Sequence, residues 1–127
     1  MTAQIRSFRD LRVYQEAFEL QQLVFQISKT WPDSEKFALT DQVRRSSRSI
    51  GANISEAWAK RRYPSHFVSK LTDADGELQE TLHWSSTALA CDYISSAELS
   101  DIDGRAAAIG QKLGKMMKMP EKFTPAD

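Results

Sequence analysis

Apolar residues recur at steps of three and four along four long segments of the chain, and this spacing limits the fold to helices. It keeps side chains on one helical face, whereas a half-buried strand requires strict alternation of apolar and polar residues. The prolines lie at or near the ends of these segments, where they can stop a helix without breaking it. The pattern predicts helices over about residues 8–30, 34–61, 65–94 and 96–119, with a loose tail over residues 120–127.

Each segment carries a row of residues that we predict to face the core. The first has Val13, Ala17, Leu20, Val24, Ile27 and Trp31, beside a second row of Leu11, Tyr14, Phe18 and Phe25. The others have Leu39, Val43, Ser47, Ile50, Ile54 and Ala57; Phe67, Leu71, Ala74, Leu78, Leu82, Ser85 and Leu89; and Leu99, Ile102, Ala106, Ile109, Leu113 and Met116. Gly51, in a small-residue stretch, indicates close packing of a neighbouring helix.

The expected helix starts are marked by residues that can cap free backbone amides. Ser7 with Asp10, and Ser95 with Glu98, have the spacing of a capping box. Thr40 or Asp33 is the expected cap of the second helix, and Ser65 that of the third.

A chain of 127 residues with 41% hydrophobic residues can bury a core without disulfides, which excludes a disordered protein. Short connections make sequential helices antiparallel. We therefore expect an all-α fold, an antiparallel up-down-up-down four-helix bundle forming one domain over residues 1–127. No apolar run approaches the roughly 18 residues needed to cross a bilayer, and the start lacks a secretory signal, so we expect a cytoplasmic protein without a membrane partner.

The charges balance overall, at 17 basic and 17 acidic residues, but they are segregated along the chain. Residues 36–70 hold eight basic residues against two acidic ones, and residues 71–104 hold eight acidic residues and neither Lys nor Arg. Opposite signs on consecutive helices can pair, within a subunit or across an interface, or each can simply be a solvated face.

The basic residues form two groups that could contact phosphate: Arg44, Arg45 and Arg48, then Lys60, Arg61 and Arg62. Arginine forks suit phosphate oxygens, and the nearby Trp58 and Tyr63 could stack on unpaired bases. The alternative is that these arginines pair with acidic residues and only hold an oligomer together. The candidate interface or salt-bridge residues are Glu56, Asp73, Glu77 and Glu80, with Trp58 and Trp84 as packing or interface anchors.

Catalytic and metal sites find little support in the residues. Glu80 and His83 match the Glu-x-x-His unit of di-iron bundles, but such sites need two units, and both side chains are predicted to point away from the core. Cys91 is interpreted as a small core or interface residue. We expect no metal, no cofactor, no small-molecule substrate and no enzymatic activity.

Several motifs follow one another over about residues 8–94. They are Phe8-Arg9-Asp10-Leu11-Arg12-Val13-Tyr14-Gln15; Trp31-Pro32-x-x-Glu35-x-Phe37-x-Leu39; the run from Gln42 to Ala57, QVRRSSRSIGANISEA; and Ala74-x-Gly76-Glu77-Leu78-x-Glu80. In order and spacing this resembles the four-helix-bundle family of 23S rRNA intervening-sequence (S23-like) proteins. The sequence departs from that pattern at Ala57 and Trp58, where Gly and a small or polar residue are common, and at Glu77, where Ser is usual.

The resemblance implies a left-handed bundle that assembles into a homo-oligomer, typically a pentamer, without catalytic activity. A related branch serves as accessory protein to the reverse transcriptase of diversity-generating retroelements, where a basic surface contacts nucleic acid. These implications predict a non-enzymatic, oligomeric accessory of nucleic acid or ribonucleoprotein. Its expected partners are itself and RNA, DNA or a nucleic-acid enzyme. A purely structural or protein-interaction bundle is the alternative.

Overall fold

The computed structural model describes residues 4–125, and these residues form four long helices and no strand. The helices are α1 (Arg12–Ser28), α2 (Asp41–Ala59), α3 (Pro64–Ala90) and α4 (Ser96–Lys118). Short 3₁₀ turns lie at Phe8–Asp10, Asp33–Glu35 and Pro120–Lys122, and a π-helical turn, Lys36–Thr40, leads into α2. The predicted all-α, four-helix fold is therefore confirmed.

Each helix packs on the next, and α1 packs on α4. At each of these four contacts residue numbers rise on one helix as they fall on the other, which is antiparallel packing. Between α1 and α2 the contacts are Ser28–Arg44 and Tyr14–Gly51, and between α2 and α3 they are Ser46–Thr81 and Glu56–Lys70. Between α3 and α4 they are Leu78–Gly110 and Thr72–Met117, and between α1 and α4 they are Glu16–Lys112 and Glu19–Arg105. The handedness of the bundle stays a prediction.

The predicted core rows are buried on α2, and on α4 all but the half-buried Leu99 are buried. On α3 the prediction was wrong at two positions after Leu78, because Thr81 and Ala88 are buried while Leu82 and Leu89 are only half-buried; Ser85 is buried as predicted. Burial of Thr81 is possible because its hydroxyl donates to the Glu77 carbonyl at 2.9 Å and lies 2.9 Å from the Ser46 hydroxyl.

On α1, Ser28 is buried and Ile27 only half-buried, again against the prediction. The Ser28 hydroxyl donates to the Phe25 carbonyl at 3.1 Å and accepts a hydrogen bond from Arg44 Nε at 2.8 Å. A polar side chain with both partners loses little on burial, so hydrophobicity alone misplaces the core face at this turn.

Two of the expected caps are present and two are not. Ser7 with Asp10, and Ser95 with Glu98, each form a complete capping box, although the first belongs to the 3₁₀ turn that precedes α1. Ser65 is not a cap, since α3 begins one residue earlier at Pro64, where a missing N–H costs nothing. No side chain caps α2, because the preceding π-helical turn runs directly into it.

The ends of α3 and α4 differ from expectation. Asp92 takes a left-handed conformation (φ 63°) that ends α3 well before residue 94, and it leaves Cys91 exposed instead of in the core. The region expected to be a loose tail forms the Pro120–Lys122 turn, after which the Phe123 ring stacks on buried Phe67 at 5.4 Å. Residues 126–127 lie outside the described part.

Candidate nucleic-acid interface

The first group of predicted phosphate-binding residues is divided between two flanks of α2. Arg45 lies on the α3 flank, where its guanidinium pairs with Glu77 at 3.2 Å and with Glu80. These charges belong to one chain, so Arg45 and its two carboxylate partners neutralise one another without a second subunit. Arg45 is therefore occupied by carboxylates and is a poor phosphate contact.

Arg44 and Arg48 lie on the α1 flank of the same helix, and both guanidinium groups lie over the ring of Phe25. The distances to the ring centroid are 4.8 Å and 5.5 Å. Lys29 Nζ lies over the same ring at 4.9 Å. Three positive groups thus converge on one phenyl ring, which attracts cations through its negative face. We call Lys29, Arg44 and Arg48 the Phe25 cation cluster.

No carboxylate oxygen within residues 4–125 lies within 4 Å of these three cationic groups. Arg44 is half-buried and fixed by its hydrogen bond to Ser28, whereas Arg48 and Lys29 are exposed. All three lie within 5.5 Å of one ring centroid, so they repel one another, and an anion bound near them would relieve that repulsion.

A shallow depression of about 520 Å³ opens beside the Phe25 cation cluster. It is lined by Asp41, Arg44, Arg45, Arg48, Ser49 and Ala52, so three of its six lining residues are arginines. A smaller depression of about 250 Å³ adjoins it at Asp41 and Arg44 and includes Lys29 and Lys36. Together they form a continuous surface on which basic residues outnumber acidic ones.

A third depression, of about 320 Å³, continues from Arg48 and Ala52 along the boundary of α1 and α2. The rings of Phe8, Tyr14 and Phe18 form one side, and the small residues Gly51, Ala52 and Ser55 form the other. We call this feature the aromatic groove. Its rings are in contact, with centroids 4.8 Å apart for Phe8–Tyr14 and 6.2 Å apart for Tyr14–Phe18.

The second predicted basic group lies at the far end of α2, about 18 Å from Arg48 along the helix axis. Arg61 packs over the Trp58 ring at 4.0 Å and donates to the Trp58 carbonyl at 2.8 Å, while Lys60 and Arg62 are exposed. The structure therefore does not join the two predicted groups into one patch.

The remaining predicted salt-bridge residues also find partners within the chain. Lys70 Nζ lies 2.9 Å from Glu56 and 3.7 Å from Asp73. The hydrogen bond from Lys70 holds the pKa of Glu56 below its ordinary value. Burial raises the pKa of Glu77 above its ordinary value, although the charge of Arg45 opposes this shift.

Trp58 and Trp84 are half-buried against the core. The indole N–H of Trp84 is buried and has no hydrogen-bond partner among residues 4–125. The two residues of the Glu-x-x-His unit have separate partners: His83 packs edge-on against the Trp84 ring at 4.8 Å, and Glu80 forms an ion pair with Arg45. Within the described residues no group of three or more His, Cys, Asp or Glu side chains could hold a metal ion.

Sequence reasoning missed Lys29 and Phe25 as part of this surface. Phe25 belongs to the second apolar row of the first helix, and spacing alone does not show what covers that row. The available signal was that this row, with Tyr14 and Phe18, is wider than one helix contact requires.

A family model for the 23S rRNA-intervening sequence protein matches residues 9–115. The chain belongs to this family. The family match thus includes all four long helices except the end of α4, and it takes in Phe25, Lys29 and both arginines of the cluster. Nothing in the match points to catalysis.

A solved structure supports the same family at the level of the fold. The crystal structure of a protein with unknown function from the S23 ribosomal protein family of Bacteroides thetaiotaomicron VPI-5482 is similar, with a TM-score of 0.75 and 28% sequence identity. The similarity covers 84% of this chain and 95% of that one. No curated protein matches. None of the described helices has the length and apolar character of a membrane-spanning segment.

The departures from the usual family pattern have distinct structural roles. Ala57 is fully buried, the Trp58 ring packs against the Arg61 guanidinium, and Glu77 forms one of the two ion pairs of Arg45. The last of these adds a carboxylate to the α3 flank only, so it leaves the Phe25 cation cluster unchanged.

Proposed function

We propose that this protein is a non-enzymatic accessory of nucleic acid or ribonucleoprotein, and that it contacts phosphates through the Phe25 cation cluster. The observation that carries the proposal is the convergence of Lys29, Arg44 and Arg48 on one ring without a carboxylate within 4 Å among residues 4–125. Arginine and lysine groups arranged in this way bind phosphate oxygens through charge-assisted hydrogen bonds. The family's description, which refers to ribosomal RNA, agrees with such a ligand.

Arg61, with Lys60 and Arg62 beside it, is proposed as a second phosphate contact on the same backbone. Its guanidinium is already oriented by Trp58, which lowers the entropy lost on binding. The distance of about 18 Å along α2 is within reach of a nucleic acid of several nucleotides. Arg45 is left out of the proposed site because Glu77 and Glu80 hold it.

The proposal includes assembly of the chain into a homo-oligomer, for which the family resemblance gives five subunits as the expected number. The purely structural alternative required the arginines of α2 to pair with acidic residues of another subunit. Arg45 has its acidic partners within its own chain, which leaves that alternative without its main contact. Light scattering on the purified protein measures the subunit number directly.

The test is fluorescence anisotropy of a labelled single-stranded RNA of 20 nucleotides over a series of KCl concentrations. We expect log Kobs to fall linearly with log salt, and Lys29→Gln/Arg48→Gln to weaken binding and reduce the slope by about 1.4, or 0.7 per lost phosphate contact. Both replaced residues are exposed, so the fold is preserved. Arg105→Gln is the control, because Arg105 is paired with Asp101 at 2.9 Å on α4.

Two results would contradict the proposal. One is the absence of binding at low salt by protein that remains folded and assembled. The other is an equal loss of affinity in Arg105→Gln, which would mean that total charge matters and the Phe25 cation cluster does not.

A further inference from the structure

We infer that the ligand of this surface is single-stranded, and that the aromatic groove receives its unpaired bases while the Phe25 cation cluster holds its phosphates. This inference rests on the proposed function and narrows it to one class of nucleic acid. It is drawn from the way in which aromatic rings and arginines alternate along the α1–α2 boundary.

The alternation begins at the Phe8 end of the groove, where Arg9 lies over the Phe8 ring at 4.6 Å. Tyr14 and Phe18 follow, then Arg48, then Phe25 with Arg44. No carboxylate within residues 4–125 pairs with Arg9, Arg44 or Arg48. Positive charge therefore stands at both ends of a row of rings, which is the combination used by proteins that bind single strands without sequence preference.

Exposure of Phe18 is the second element of the argument. Its side chain is 45% exposed although it lies at the centre of α1, and it borders the space above Ala52. Gly51 has no side chain and Ala52 has only a methyl group, which keeps the floor of the groove low, so a planar base can lie against the Phe18 and Tyr14 rings. From Arg44 to Ser55 the track measures about 16 Å along α2, enough for a few nucleotides.

Double-stranded nucleic acid fits this surface poorly. In a duplex the bases are stacked on one another and their faces are inaccessible, so the protein could meet only phosphates, sugars and base edges. The groove would then contribute nothing, and its exposed ring would stay in water. A single strand uses both halves of the surface, because each base has a face that can stack on an aromatic ring.

The experiment compares two labelled ten-residue DNA probes with the same number of phosphates: an oligothymidine, and a strand in which every nucleotide lacks its base. We expect the protein to bind oligothymidine at least about fivefold more tightly than the abasic strand, and Phe18→Ala to abolish that preference. Phe18→Tyr should retain it. Phe37→Ala is the matched control, because Phe37 is 75% exposed and lies outside the groove.

Each other outcome has a defined meaning. Equal binding of the two probes, or a preference that survives in Phe18→Ala, overturns the inference and leaves phosphate binding by the cation cluster intact. If the wild-type protein binds neither probe at low salt, the proposed function and this inference are both overturned. A changed subunit number for Phe18→Ala in light scattering also overturns the inference, because the groove would then be covered by a second copy of the chain.

Discussion

Arg44 and Arg45 are adjacent in sequence, yet they lie on opposite flanks of α2 and have different partners. On the α3 flank, Arg45 pairs with Glu77 and Glu80, next to the buried hydrogen bond between Ser46 and Thr81. On the α1 flank, Arg44 bonds to a serine hydroxyl and lies over an aromatic ring. The positive charge on the α3 flank is neutralised by carboxylates, whereas the positive charge on the α1 flank is not.

The difference follows from helix geometry. A rotation of about 100° per residue places neighbouring side chains on different flanks. The acidic residues of α3 therefore neutralise only the arginine that faces them, although the sequence holds as many acids as bases. A chain without net charge can thus carry a strongly basic surface. Replacing one arginine on each flank by glutamate tests whether the two flanks have these different roles.

The largest expected effect is on ligand binding by Arg48→Glu. The change removes one cation of the Phe25 cluster and puts a negative charge where phosphate would bind, and like charges in contact cost several kcal/mol. We expect an affinity loss of about a hundredfold for single-stranded RNA, or roughly 2.7 kcal/mol. Anisotropy titrations at one salt concentration measure it, and the free energy of unfolding should change by less than about 0.5 kcal/mol.

The matched change on the other flank, Arg45→Glu, should mainly affect stability. It breaks both ion pairs and places a third carboxylate beside Glu77 and Glu80. Exposed pairs contribute about 0–1 kcal/mol each, so we expect the free energy of unfolding to fall by about 1–2 kcal/mol, and by less at high salt. Urea denaturation at two salt concentrations measures this. If Arg45→Glu weakens RNA binding as strongly as Arg48→Glu does, the division between the flanks is wrong.

A feature of the fold could be predicted from the sequence when the residues that determine it lie within one helix. Periodicity within each segment was enough for the four helices, and Leu113 or Ile54 could be assigned to the core from spacing alone. Thr81 could not, because one of the two polar partners of its hydroxyl is the Ser46 hydroxyl, which another helix supplies. A single sequence gives no information about such partners.

The same limit applies to the candidate site. The sequence of α2 predicts phosphate contact for Arg44, Arg45 and Arg48 alike. Counting charges does not show which of the three arginines forms an ion pair with a carboxylate of another helix. Lys29 and Phe25 come from α1 and the residue that follows it, and they enter the site only through the packing of α1 on α2. The motifs that carry the family resemblance can be read along the chain one after another, whereas the residues of the Phe25 cation cluster come together only in the fold.

A smaller effect is expected from Gly51→Ala, which probes the packing of the α1 flank. A Cβ added at Gly51 would lie 3.4 Å from Tyr14 Cε1, which is ordinary van der Waals contact. Alanine is favoured over glycine in a helix interior by about 0.5–1 kcal/mol, so we expect the free energy of unfolding to rise by about that amount. Thermal and urea unfolding measure it. A loss of stability would show that α1 and α2 have no space for a methyl group, and that the groove floor is already close-packed.

The smallest effect concerns two carboxylates of the α3 flank whose pKa values shift in opposite directions. The Lys70 hydrogen bond lowers the pKa of Glu56, so its contribution to stability is present above the ordinary glutamate value of about 4.3 and is lost as the pH falls through the lowered value. Burial raises the pKa of Glu77, with Arg45 opposing, so its contribution is present below the ordinary value and is lost as the pH rises through the raised one.

Replacing each carboxylate by glutamine should therefore give opposite pH dependences. The stability advantage of the wild type over Glu56→Gln should shrink as the pH falls from 7 to about 3. The wild type should lose stability relative to Glu77→Gln as the pH rises above about 4.3, because the glutamine side chain stays neutral while the glutamate becomes charged. Melting temperatures across this range measure both differences. Parallel curves for the two variants would mean that Glu77 is as well paired as Glu56, and that burial does not weaken the Arg45 ion pair.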